Sequence, residues 1–319
     1  MSSLKAISVK HIVQALLIAI VLGCTQVDTQ STLPRIASNN PHAAMTGPQV
    51  VELLNTLYNR QFPNCDKNDN RPAFLCSGII FRVTDKNPGD THHVWNPSPT
   101  SVRNGGVSFS YLRADSKFGR LAWGKGNGFM LYPIFGAPWD KVDLDVLCSF
   151  PIDGWTWNRT TPCGPYVSFP ATSQRCQSAG VATAEQWKKV WDTSPDSHHL
   201  RQCGFDVSEA TGRPAGVPFY QSVRARGMLS QVPAHFSEQN EIVIKTWPQN
   251  LQNTFPLMAF FFIAGGTNAG LAEAQGNQKD FYDSTTSRIW VPVIRLFPPS
   301  TPAGQATFQY VDSDQLVKP

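Results

Sequence analysis

Lys5 and Lys10 stand ahead of an eleven-residue uncharged stretch, Ile12 to Leu22, that closes on Val21-Leu22-Gly23-Cys24. A basic start, a short apolar run and a small residue at the cleavage point make an export signal. This feature constrains folding more than any later motif, because an exported chain folds where disulfides persist. Six cysteines follow the signal: Cys65, Cys76, Cys148, Cys163, Cys176 and Cys203. An even number in an oxidising space predicts up to three bridges, with the pairing left open. None of the six lies in a Cys-x-x-Cys pair, so neither a zinc ribbon nor a redox dithiol is expected.

The stretch before Cys24 is too short to span a bilayer, which takes about 20 residues as a helix. The pattern is instead that of a bacterial lipoprotein, with a lipid on Cys24. Thr25, rather than Asp, follows Cys24, and lipoprotein sorting then favours the outer membrane. An ordinary cleaved signal, with no role for Cys24, is the alternative. Loss of residues 1–23 removes Lys5 and Lys10 from 27 basic residues and leaves 25 against 23 acidic ones. So near-neutral a balance does not by itself supply the basic stripe expected of a nucleic-acid binder, and leaves open only a local patch formed by the fold. Contact with a membrane is expected through the lipid alone.

Thr25 to Ala44 is rich in Ser, Thr, Asn and Gln without an apolar period, which reads as a tether. The expected organisation is a signal over 1–23, a lipidated tether over 24–45 and one domain over 46–312. A helix is predicted to start at Thr46, with Pro48 in its first turn and Val50, Val51, Leu53, Leu54 and Leu57 on its apolar side. Thr183 and Gln186, three apart, are predicted to open a second helix by satisfying each other's free backbone donors ahead of Trp187, Val190 and Trp191. Further helices are predicted over Pro218 to Ser230 and Gly270 to Tyr282. Strands are predicted at Ile79 to Thr84, Val107 to Leu112, Phe129 to Tyr132, Glu241 to Trp247, Leu257 to Ile263 and Trp290 to Leu296. Lys141 to Ser178 holds three cysteines and little periodicity, so it reads as a loop-rich, disulfide-stapled insertion. Strands scattered among unevenly spaced helices favour α+β over a doubly wound fold.

Three segments carry the candidate chemistry. Ile80-Phe81-Arg82-Val83-Thr84 sets an arginine near a strand end, and a planar, always-charged guanidinium suits phosphate groups. Gly106-Val107-Ser108-Phe109-Ser110 sets two serines on one strand face. Glu238-Gln239-Asn240-Glu241 runs into a strand, Ile242-Val243-Ile244. In this order they resemble the active-site elements of the ADP-ribosyltransferase superfamily, which bind NAD and break its bond to nicotinamide. The resemblance implies split antiparallel sheets with helices, Arg82 on NAD's phosphates or ribose, Ser108 and Ser110 shaping the pocket, and Gln239 with Glu241 as the Gln-x-Glu turn. Phe109 takes the middle place of the Ser-x-Ser strand and is counted with the substrate contacts. Glu241 would stabilise the positive charge that develops on the ribose as nicotinamide departs. Gln239 leaves the acceptor open between water and a protein side chain. The 129 residues from Ser110 to Gln239 are ascribed to the disulfide-rich insertion.

Longer stretches point the same way. Pro72-Ala73-Phe74-Leu75-Cys76-Ser77-Gly78, Trp95-Asn96-Pro97-Ser98-Pro99, Gly105 to Phe118, Phe150-Pro151-Ile152-Asp153-Gly154-Trp155 and Cys203-Gly204-Phe205-Asp206 look like the halovibrin family of secreted bacterial proteins, over about residues 47 to 297. That resemblance implies an exported NAD glycohydrolase or ADP-ribosyltransferase, with NAD as substrate and no bound cofactor. The lipid anchor departs from that family's free secretion.

Other features of the sequence offer alternatives. His92-His93 and His198-His199 are adjacent pairs whose rings would point to opposite faces of a strand, so no metal site is expected. His93 alone, beside a pocket, is a candidate hydrogen-bonding group for substrate, with a solvated turn histidine as its alternative. Trp95, Trp123, Phe129 and Tyr132 are either stacking surfaces, Trp95 foremost, or core. Gly265-Gly266-Thr267-Asn268-Ala269-Gly270 lacks a phosphate-loop ending and reads as a turn capped by Asn268. Asp153 and Asp206 read as turn carboxylates. The rival functions are a non-catalytic surface-binding lipoprotein with an aromatic platform, and a hydrolase or nuclease built on His92, His93, His198 or His199.

Overall fold

The computed structural model describes residues 35–38, 40, 45–60, 77–84, 92–116, 126–132, 146–154, 163, 175–193, 203–207, 216–229, 240–246, 253–265, 268–301 and 304–319. The signal, Cys24, Cys65, Cys76, Trp123, His198, His199 and Gln239 lie outside these residues. Ile36–Pro319 forms one compact unit.

Helix α1, Gly47–Asn59, begins as its sequence directs: Gln49 Oε1 accepts from the Thr46 N–H at 2.9 Å. Its buried side carries Val50, Leu54, Leu57 and Tyr58. Helix α2 is a single turn, Pro99–Arg103, capped by Ser98. Helix α3, Ala184–Thr193, has the reciprocal cap: Gln186 N donates to Thr183 Oγ1 and Thr183 N to Gln186 Oε1. Helices α4, Gly216–Gly227, and α5, Asn268–Ser284, follow. The strands are β1 Ile79–Thr84, β2 Gly106–Leu112, β3 Asn127–Leu131, β4 Val146–Phe150, β5 Phe205–Asp206, β6 Glu241–Lys245, β7 Leu257–Ile263, β8 Val293–Phe297 and β9 Thr307–Gln309.

These strands form one mixed sheet in the order β5-β4-β6-β2-β1-β3-β7-β8-β9, with helices on its faces, so the fold is α+β. One apolar layer takes Ile80, Val107, Phe109, Phe129, Ile242 and Ile244 from the sheet against Phe219 of α4 and Phe281 of α5. The other takes Phe81, Leu112, Met130 and Phe261 against α1. Alternation along each strand sends successive side chains to these two layers.

Four expectations are corrected. The sheet is not wholly antiparallel, because β7 and β8 pair in parallel. The long helix α5 between them provides the crossover that a parallel pair requires. Lys141 to Ser178 is not all insertion: Val146–Phe150 is a strand between β5 and β6. All five of its residues are buried, so it shows no alternation, which is the signal a strand is read from. The tether does not reach residue 45 as a free segment. Ile36 bridges Thr285, and the Asn40 side chain exchanges two hydrogen bonds with the backbone of Leu257, at 2.6 and 2.9 Å. Nor does the domain stop at 312, since Asp314 is buried against Arg295 and Gln315 bonds both backbone groups of Val293.

Among the described residues two disulfides are present, Cys148–Cys163 and Cys176–Cys203. The second anchors a satellite core of Ile152, Trp187, Trp191, Phe205, Ala225 and Leu229, where α3 packs on α4. Such bridges are compatible with an extracellular protein. Among the described residues no helix is long and apolar enough to cross a membrane.

Candidate functional site

The site lies where the sheet divides. Ile79, Ile80 and Phe81 of β1 pair with Leu112, Tyr111 and Ser110 of β2. Beyond Phe81, β1 pairs only with β3, through Arg82 to Thr84, while the other half of β2, Gly106 to Phe109, pairs with β6. The two strands therefore part at Arg82 and Ser108, and the Arg82 guanidinium bridges the gap: its Nη1 donates to the backbone carbonyl of Ser108 at 2.5 Å.

Ser108 is the hub. Its hydroxyl donates to Glu241 Oε1 at 2.5 Å. Glu241 opens β6 opposite Phe150 of β4 and is only 2 % exposed. Its second oxygen, Oε2, accepts the main-chain N–H of Gly154 at 2.9 Å. A carboxylate taken this far out of water needs such donors on both oxygens. Alternation puts Arg82 on the layer of Ile80, and Ser108 and Glu241 on the layer of Leu112 and Val243. Guanidinium and carboxylate thus approach Ser108 from opposite sides of the β2 backbone.

On the Arg82 side opens a small cleft of about 80 Å³, well below the roughly 300–1,000 Å³ of typical small-molecule sites. Val107, Phe129 and Phe255 form its apolar base, and Arg82, Thr84, His92, Asn96 and Ser98 its polar wall. Ser108 and Glu241 do not line it. Asn96 Oδ1 is buried with no hydrogen-bond partner among the described residues, an acceptor that a bound N–H or O–H group would satisfy.

The remaining sequence candidates fall as follows. Ser110 is buried on the same strand face as Ser108, opposite Phe81. Phe109 is a core residue, edge-on to Phe129 and Phe255, rather than a substrate contact. Its odd place in the Ser-x-Ser strand turns it to the inner layer. Trp95 is wholly buried against Phe281 and donates through Nε1 to Asp280 Oδ2 at 2.9 Å, so it presents no stacking face. His93 stacks on Trp95 and bonds Asp280 Oδ2 through Nδ1 at 2.7 Å; of the pair it is His92 that lines the cleft. Burial pushes the Asp280 carboxyl up, but the hydrogen bonds from His93, Trp95 and Ser284 outweigh it and hold the group below the ordinary aspartate value. Among the described residues no cluster of His, Cys, Asp and Glu could hold a metal ion.

Gly154, Asn96 and Asp280 escaped the sequence reading. The Asp153-Gly154 dipeptide is a turn signal, and the unrecognised strand before it hid where that turn is delivered. Asp280 sits inside a helix with nothing local to distinguish it from Asp283, which pairs on the surface with Lys279. Comparison of the chain with protein-family models, curated proteins and solved structures gives no match.

Proposed function

We propose that this chain is an exported, lipid-anchored enzyme that cleaves the nicotinamide–ribose bond of NAD, with water as the acceptor. One observation carries the reading: Ser108 joins Arg82 and Glu241, residues distant in sequence, through its carbonyl and its hydroxyl at the place where β1 and β2 separate. The resemblance to ADP-ribosyltransferases implies that these three residue types serve one site, and their linkage through Ser108 supports that reading.

Arg82 holds the phosphate or ribose portion of NAD at the cleft wall, and the apolar base accepts a ring. Glu241 does not line the cleft, so in this reading the ribose reaches it past Ser108, where β1 and β2 part. The C–N bond breaks with its electron pair leaving on nicotinamide, which departs neutral from its cationic pyridinium form. Positive charge then spreads over the ribose carbon and ring oxygen. A carboxylate already fixed by the Ser108 hydroxyl and the Gly154 N–H meets that charge without reorganising. Water adds to the ribose carbon and releases a proton. Gln239, two residues before Glu241 in the sequence, leaves transfer to a protein side chain as the alternative outcome.

The test is nicotinamide release from NAD by purified protein lacking residues 1–23. Glu241→Gln keeps the size and a hydrogen-bonding group but removes the charge, and is expected to lower kcat by about a thousandfold. Equal release by both proteins, or release by neither, overturns the proposal. One observation favours a second reading, a histidine-dependent hydrolase: His93 is oriented by a carboxylate in the manner of a general base. Activity lost in His93→Ala and kept in Glu241→Gln would select it.

A further inference from the structure

Strand β4 delivers Cys148 and Phe150 beneath β6, and residues 151–154 then turn back with every residue buried. Phe150 lies opposite Glu241 in register, so the turn brings its last residue, Gly154, to the carboxylate. Only glycine fits: a Cβ there would stand 2.5 Å from the Phe150 ring. Gly204 approaches from the other side under the same restriction, its Cβ position 2.4 Å from Cys148 Sγ and 2.6 Å from Phe150. Cys148 and Cys163 form a small buried cluster with Phe150 and Val243, the residue two beyond Glu241 on β6. The disulfide therefore sits behind the carboxylate and ties the chain leaving Gly154 back to the strand that precedes it.

We propose that the main-chain N–H of Gly154, held in place by the Cys148–Cys163 disulfide, is a positioning group for Glu241, and that this makes the activity of the site conditional on that disulfide. The inference rests on the reading of Glu241 as the reacting carboxylate. With the cross-link present, each carboxylate oxygen has a donor on a different chain segment, β2 for Oε1 and the 151–154 turn for Oε2. Without it, the turn loses its covalent tie to β4, and the Gly154 N–H is held less firmly against the carboxylate. A dithiol reductant breaks the S–S bond by giving up two electrons and two protons; Cys148 and Cys163 become thiols and the reductant a disulfide. Arg82 and the cleft lie across β2 from this cross-link, so substrate binding is unaffected while turnover falls. Before export, in a reducing compartment, the chain would lack the cross-link and spare the NAD around it.

The experiment uses the protein lacking residues 1–23, oxidised or treated with dithiothreitol, beside Cys148→Ser/Cys163→Ser and Cys176→Ser/Cys203→Ser. It reads kcat and KM for NAD together with exchange of the Gly154 amide, followed by NMR with labelled glycine. Reduction and loss of Cys148–Cys163 are expected to lower kcat by about ten- to a hundredfold. KM should stay unchanged and Gly154 exchange should quicken, whereas loss of Cys176–Cys203 leaves kcat near wild type. Wild-type kcat with a protected Gly154 amide in the Cys148→Ser/Cys163→Ser protein overturns the inference. Should the oxidised wild type release no nicotinamide, the proposed function fails, and Gly154 exchange alone then judges whether the disulfide holds the amide. If the cysteine variant does not fold, Gly154→Ala, which keeps both bridges and pushes the turn off Phe150, takes its place; wild-type kcat there overturns the inference equally.

Discussion

The two sides of the split sheet are held together by different means. The side that carries Arg82, built on β1, β3, β7 and β8, rests on apolar packing: Phe81 meets Phe261 edge-on at 6.0 Å, and Phe261 lies over Gly128, where a Cβ would stand 2.7 Å from its ring. The side that carries Glu241, built on β4, β5 and β6, holds both described disulfides at or near its strands. Its strands are short, and β5 offers only Phe205 and Asp206 for pairing. A small core cannot supply enough burial alone, and cross-links substitute for it. The Arg82 side is thus held by apolar packing, while the Glu241 side also carries covalent cross-links.

That contrast can be broken in a graded way. Phe261→Ala should cost about 3–5 kcal/mol by leaving a cavity between the two apolar partners. Its chemical-denaturation midpoint should shift equally with and without reductant; a reductant-dependent shift would erase the distinction between the sides. Removing Cys176–Cys203 should cost about 2–5 kcal/mol, read in the same titration, with reductant then adding what the remaining cross-links contribute. Arg82→Lys keeps the charge but loses the planar fork, and is expected to raise KM for NAD by about tenfold while kcat stays near wild type. A fall in kcat alone would mean that the guanidinium acts on Glu241 rather than on substrate. The smallest effect concerns Asp280. Its carboxyl is held below the ordinary value of 3.8 by His93, Trp95 and Ser284. The stability this contributes is present above that value and is lost as the pH falls through the folded one. Thermal melting from about pH 5 down to about pH 3 should fall more steeply in wild type than in Asp280→Asn. The side chain is 39 % exposed, so solvent screening keeps the difference small.

Much of the fold was legible where local chemistry agrees with tertiary placement. The Thr183/Gln186 cap, the start of α1 at Thr46, and β1 and β7 to the residue all follow from capping and from β-branched or aromatic runs. Strand β4 did not, because a strand buried on both faces loses its alternation, and its cysteine and nearby acids resemble a stapled loop. Arg82, Ser108 and Glu241 were legible as residue types on strands. Trp95 and Phe109 were misread because an aromatic ring in the core and one lining a pocket look identical in sequence.

What the sequence determined alone was whatever depends on near neighbours in the chain: the export pattern, helix starts, most strands, the charge balance, and a guanidinium, a hydroxyl and a carboxylate as the groups to watch. Only the tertiary structure decided that these three meet at Ser108, that Gly154 completes the carboxylate's partners, and that His92 rather than His93 faces the cleft. Those facts rest on strand order and register, set by long-range packing and by cross-links whose pairing no local rule chooses.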